Sequence, residues 1–201
     1  ITPIMTKALL TWPAIAFYLA AALLLWRPIR AGEALHRGAR TGILALAAGA
    51  AILHTTLLHS DLFHAGLNLG ITNAASLVAW AVVLLYLLAV IFQPVETLGL
   101  LIFPIAALAL GIEWLWPTRH LSLPGASPTQ TAHIVISLLA YSLLSIAVVQ
   151  SLMLGFQERA LHNRRAGGLV RALPPLETME HLLFRLIAVG FLLLTLTLAS
   201  G

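Results

Sequence analysis

Six uninterrupted apolar runs dominate this chain, each close to the roughly 20 residues a helix needs to cross a bilayer. They cover about 8–26, 42–59, 71–92, 98–116, 132–155 and 181–199 of the 201 residues. None alternates apolar with polar residues, as a membrane β-strand would. Only helices and closed barrels pair every backbone group in lipid, so the runs predict an all-α, polytopic bundle of six transmembrane helices. Residues 1–201 read as a single transmembrane domain. Charged residues make up only 9% of the chain, against about 25% in soluble domains. That excludes a soluble globular fold and a disordered chain.

The cations set the expected orientation. Arg27, Arg30, Arg37 and Arg40 follow the first run. Arg159, Arg164, Arg165 and Arg171 follow the fifth, and Arg185 lies just inside the sixth. Lys7 and Arg119 alone fall on the other side. Positive charge marks cytoplasmic loops, so the Arg-rich loops are expected in the cytoplasm and both chain ends outside. The sequence pI of about 10.4 then reports topology, and no nucleic-acid partner is expected. Trp114 and Trp116 read as interfacial aromatics at the outer surface. The first apolar run is too long for a cleavable signal and lacks a cleavage site after it. The chain starts at Ile1 without a methionine, which reads as an incomplete N-terminus.

Polar residues inside a membrane are costly and are the first places to look for function. There is no cysteine, and the eight histidines outnumber the seven carboxylates. A disulfide, a thiolate-held iron–sulfur cluster and a covalently attached haem are therefore excluded. His54 lies about five residues below the outer end of its run, roughly 8 Å deep at 1.5 Å per residue. It reads either as an iron or copper ligand or as a core histidine bonded to a neighbour. His133 opens the fifth run, with Ser137 and Tyr141 four and eight residues on, close to one helix face. They read either as a ligand with supporting hydroxyls or as interfacial residues bonded to adjacent helices. His59 and His64 continue from His54 at intervals of five and do not share its face. His120 stands beside Arg119 in an outer loop, whereas His36 and His162 fall in cytoplasmic loops. Asn68 and Asn73 read as cap or ligand residues, and Glu113 as a hydrogen-bonded or headgroup-facing carboxylate. No HExxH, GxSxG, glycine-rich phosphate loop or paired intramembrane carboxylate is present, so no catalytic residue is expected. Histidines gathered in the outer half of an apolar bundle suit a flat apolar ligand such as haem.

The segments AHIVISLLAYSLLSIAVVQSLMLGFQERALHNRR and LPPLETMEHLLFRLIAVGFLLLTLTLASG resemble the cytochrome c assembly family, which includes CcsA-type and YpjD-like inner-membrane proteins. His133, Ser137, Tyr141, Pro174, Pro175, Leu176, Glu180 and Gly190 fit that run. Earlier, His54, Asn73 and Ser76 or Ala74 fit an intramembrane histidine and a helix entrance. The resemblance implies a haem-handling protein of the bacterial inner membrane, with His133 as an outer-side axial ligand to the iron. It further implies His54 as a second ligand or a waypoint deeper in the membrane, Ser137 and Tyr141 as positioning groups, and Arg119 and His120 as partners of the haem propionates. The expected partners are the lipid bilayer, a membrane protein, and apocytochrome c or another haem acceptor. CcsA-type members carry a tryptophan-rich segment where this chain stops, and EWLWP at 113–117 is not that motif. Either the chain is a fragment or it resembles the YpjD-like branch, which lacks that segment and normally continues by two helices; the wording PPLETME and LLTLTLASG favours the YpjD-like branch. The competing reading is a non-catalytic accessory subunit of a membrane complex or of a divalent-cation efflux system.

Overall fold

The computed structural model describes residues 3–33, 35–63, 67–117, 122–123, 127–163, 167, 170–171 and 173–200. Its helices are α1 (Pro3–Ala31), α2 (Arg37–Phe63), α3 (Ile71–Phe92), α4 (Gly99–Leu115), α5 (Pro128–His162) and α6 (Leu176–Ser200). A 3-10 turn at Glu96–Leu98 leads into α4. All six helices are long and apolar enough to span a membrane, and the fold is an all-α polytopic bundle. Two short strands, β1 (Leu67–Asn68) and β2 (Ser122–Leu123), pair antiparallel with Leu67 opposite Leu123. They tie the α2–α3 connection to the α4–α5 connection at the end opposite the arginine-rich loops.

Several helices outrun their apolar segments. α2 begins at Arg37, and α5 runs from Pro128 to His162. Hydropathy reports only the stretch suited to hydrocarbon, whereas polar residues continue a helix into the headgroup layer and beyond. The start of α5 has a local cause. Ser127 and Gln130 form a reciprocal capping box, and Pro128 takes the first turn, where no N–H is needed.

The helices are not packed evenly. α1 lies against α2 and α4, and α3 against α2, α4 and α5. α6 has one extensive neighbour, α5. The molecule is therefore a four-helix core, α1 to α4, with the α5–α6 pair hung on α3. Alanines let the core helices approach: Ala14 and Ala21 of α1, and Ala47 and Ala50 of α2, are fully buried. Small side chains matter because lipid tails compete equally for apolar surface, so close packing has to supply the attraction. Tyr18, Phe103 and Tyr86 fill the centre. The Tyr18 and Phe103 rings stack at 6.2 Å, and Tyr86 meets Phe103 edge-on at 5.4 Å.

Two glutamines seat α6. Gln150 and Gln157 of α5 donate their amides to the carbonyls of Met179 and Pro174, each at 3.0 Å. Further along, a Cβ at Gly190 would lie 2.9 Å from Cγ of Leu144, so this position must stay small for α6 to rest on α5. Gly99, at the head of α4, is tighter still, since a Cβ there would lie 2.7 Å from the Tyr86 hydroxyl and 2.8 Å from Leu25. We expect Gly99→Ala to destabilise the protein by about 1–3 kcal/mol through overpacking. Gly111→Ala, at a position with nothing within 4 Å, should be neutral or better. Thermal unfolding midpoints in one detergent check both, and equal midpoints would refute the packing argument.

Candidate functional site

His54 is completely enclosed, at 0% exposure, in the centre of the core. Its Nε2 lies 2.9 Å from the Ser76 hydroxyl of α3, and its Nδ1 lies 3.3 Å from the Tyr18 hydroxyl of α1. A neutral imidazole offers one donor and one acceptor, and two hydroxyls satisfy both. The edge of the Tyr18 ring also packs on the imidazole at 6.1 Å. The next residue of α2, Thr55, accepts a hydrogen bond through its hydroxyl from Trp80 Nε1 of α3 at 2.9 Å. These polar contacts pin α2 to α1 and α3. In this arrangement His54 has no open position for a metal, because ligation would require breaking one of its two hydrogen bonds.

His133 stands in a different setting, half-buried in the first turns of α5. Its Nδ1 lies 2.9 Å from the Ser200 hydroxyl of α6. The single hydroxyl proton of Ser200 is committed to the Thr197 carbonyl, 3.0 Å away. With that proton on the Thr197 carbonyl, Ser200 accepts from His133 and the imidazole is the tautomer protonated at Nδ1; in the other tautomer Ser200 donates to Nδ1. Nε2 has no partner among the described residues. Ser137 donates to the His133 carbonyl at 2.7 Å and lies 3.5 Å from the Thr197 hydroxyl. His133 and Ser137 thus both face α6.

Tyr141 does not join them. Eight residues advance a helix by about 80° beyond two full turns. Tyr141, 52% exposed, lines the wall of a separate cleft. That cleft, of about 700 Å³, opens between α3, α4 and α5 over a floor of Ala75, Ala79 and Ala106. His59 shares α2 with His54 but points elsewhere, as its spacing predicts. Arg119, His120 and His64 lie outside the described residues. Glu113 is buried at the end of α4, with Lys7 of α1 3.8 Å away. Asn68 accepts from the Gly70 N–H at 3.1 Å, and Asn73 donates to the Asn68 carbonyl at 3.4 Å. Both are buried and shape the approach to α3. Among the described residues, no group of three or more metal-binding side chains converges.

Residues 37–201 match the family described as Cytochrome C assembly protein. The chain belongs to that family. The match begins at the first residue of α2 and takes in every helix after it, so His54, Ser76, His133 and Ser200 all fall within it. "Inner membrane protein YpjD" of Escherichia coli strain K12 is 28% identical over 165 residues, covering 80% of this chain and 60% of that protein. The YpjD proteins of two other Escherichia coli strains match equally. An "Uncharacterized 28.8 kDa protein in nifR3-like 5'region" of Azospirillum brasilense is 39% identical over 69 residues, covering 34% of this chain and 26% of that one. No solved structure matches significantly. The chain spans 60% of the length of its YpjD relatives.

The partners of both histidines escaped the sequence reading, although one signal was present. Tyr18 sits within an apolar run, and a phenol hydroxyl there needs a partner. Ser200 and Thr197 gave no such warning, because small hydroxyls can bond their own helix. His54→Ala would leave the Tyr18 and Ser76 hydroxyls facing a cavity. We expect it to cost roughly 2–5 kcal/mol, and Ser76→Ala about 1–3 kcal/mol. The ranking is read from thermal midpoints in detergent. A His54→Ala midpoint equal to the parent's would remove the node's structural role.

Proposed function

We propose that this chain is a haem-handling protein of cytochrome c assembly, seated in the bacterial inner membrane with its arginine-rich loops in the cytoplasm. In this reading His133 holds the iron on the outer side. The carrying observation is the state of the His133 ring. Ser200 accepts from Nδ1, and Nε2 is left with a free lone pair on a half-buried face at the end of α5. A histidine ligand is usually prepared in this way, its second nitrogen fixed by an acceptor that sets both tautomer and ring orientation. Family membership supports the same class of role.

An iron porphyrin would bring a Lewis-acidic iron and a flat apolar macrocycle to this ring. The chain's own contribution is positional. Ser200 holds the imidazole through Nδ1 and fixes the orientation of the ring. Ser137 bonds back to the His133 carbonyl and braces this turn against Thr197. Arg119 and His120 belong to the connection just before α5, and we assign them the propionates. Tyr141, about 40° round the helix from Ser137, supports the ligand from the wall of its cleft. The proposal leaves His54 to the core as a structural node, since a second iron ligand must have a free nitrogen. The protein would bind and present its cargo to a haem acceptor such as apocytochrome c without itself making or breaking bonds.

Absorption spectroscopy of the protein purified from haem-replete cells tests this. The parent should show a Soret band. His133→Gly should lose most of it and regain it when imidazole is added. Ser200→Ala should retain the band with weaker haem affinity. A His133→Gly protein with the parent's full Soret intensity would sink the assignment.

A second reading is favoured by the bareness of α6, which has α5 as its one extensive neighbour. Here the chain is an accessory subunit whose outer face meets a membrane partner. A stoichiometric partner retained through purification, with no haem absorbance, would select that reading over the first.

A further inference from the structure

At the arginine-rich end, a cavity of about 330 Å³ opens where α1 leaves the bundle and α4 begins. Its walls include Glu33, Arg40, Glu96, Thr97 and Arg171. Every one of these residues stands at or beyond the end of an apolar segment, which is where a spanning helix leaves the hydrocarbon for the headgroup layer.

The charges in this cavity are arranged in two different ways. Arg40 Nε donates to Glu96 Oε1 at 2.8 Å, and a second nitrogen of the same guanidinium donates to the Val90 carbonyl. That pair is internally neutral. Arg171 and Glu33 carry opposite charges and line the same cavity, yet neither forms an ion pair with the other or with any described residue. Glu33 is fixed in place. Gly32 ends α1 with φ 71°, and the Gly32 and Glu33 N–H groups turn back to the Ile29 and Pro28 carbonyls at 3.1 and 3.0 Å. This left-handed helix cap demands glycine and sets the next residue on the cavity rim. A third feature points inward. Thr97 is only 5% exposed, and its hydroxyl makes no hydrogen bond among the described residues. The residue lines the cavity wall, so its hydroxyl is available to a ligand there.

We propose that this cavity binds a zwitterionic phosphate ester bearing a primary ammonium, the chemistry of an ethanolamine phospholipid headgroup. The phosphate oxygens take Arg171, the N–H groups of Arg40 not bonded to Glu96 or Val90, and the Thr97 hydroxyl. The ammonium takes Glu33. Such a ligand bridges the cation and the anion of this cavity that form no ion pair with each other, and it gives the Thr97 hydroxyl a partner. A purely anionic headgroup would meet Glu33 unpaired. A quaternary ammonium would bring no N–H to it.

The test uses the purified full chain in nanodiscs containing equal parts of ethanolamine, glycerol and choline phospholipids with matched acyl chains. Bound lipid is counted by native mass spectrometry. The parent should retain the ethanolamine lipid over the other two. Arg171→Gln should lower retention of the ethanolamine lipid about tenfold, the scale of one charge-assisted hydrogen bond. Glu33→Gln should abolish the preference for ethanolamine over glycerol headgroups while leaving total lipid bound. Both side chains are exposed, and both variants keep the Arg40–Glu96 pair, so folding is preserved and is verified by an unchanged thermal midpoint. Soluble O-phosphoethanolamine, added in competition, separates two sources of one chemistry. Displacement of the lipid at micromolar concentration assigns the site to a soluble ligand, and resistance assigns it to the bilayer. Equal retention of all three lipids by the parent, or an ethanolamine preference that survives Glu33→Gln, overturns the proposal.

Discussion

A polar group inside this bundle has no water to turn to, and one imidazole shows how the chain meets that constraint. His54 holds one hydroxyl from α1 on one ring nitrogen and one from α3 on the other. A four-helix core built of alanine, leucine and valine could slide, because apolar surfaces resist translation weakly and lipid competes for each of them. A histidine with two obligatory partners on two different helices removes that freedom. The aromatic contacts continue the same link from Tyr18 through Phe103 to Tyr86, and Tyr86 then donates to the Glu96 carbonyl at the far end of the core. From there the Arg40–Glu96 pair closes the arginine-rich end. Polar and aromatic contacts thus run from the middle of the membrane to one of its surfaces, and the apolar packing is arranged around them.

The α5–α6 pair is held by different means. Gln150 and Gln157 grip the backbone at the start of α6, and Gly190 lets it lean on Leu144. At the other end the contacts are small hydroxyls: Ser200 and Thr197 against His133 and Ser137. A ligand at that end could be admitted by shifting a few weakly held side chains without disturbing the Tyr18–His54–Ser76 node. The two ends of the α5–α6 pair are thus held by different chemistry, amide-to-backbone bonds at one and hydroxyls at the other.

Much of the architecture could be read from hydropathy, and the remainder was invisible for definite reasons. The six spans were legible because a bilayer leaves a continuous apolar run almost no other fate. Their ends were not, since Arg37 and the residues around His162 continue a helix in a medium to which hydropathy is blind. The β1–β2 pairing was not legible either, as two residues carry no period. Within the candidate site, both key histidines stood out as polar residues in or at the edge of an apolar run. What each of them does was hidden, because it depends on which helix lies alongside. Tyr18 and His54 are 36 positions apart, and His133 and Ser200 are 67 apart.

Proton counting on two serines separates the two rings more sharply than depth does. Histidine is a ligand only through a nitrogen with a spare lone pair. At His54, hydroxyls occupy both nitrogens, and no rotation of either hydroxyl frees one without leaving another buried group unpaired. At His133, the neighbouring hydroxyl has already spent its only proton on the Thr197 carbonyl. In that arrangement it accepts from Nδ1, and it reaches only this one of the two nitrogens. The ring is left with a donor in use and an acceptor to spare. A histidine in that condition at the rim of a membrane bundle is incomplete until something electrophilic or protic meets it.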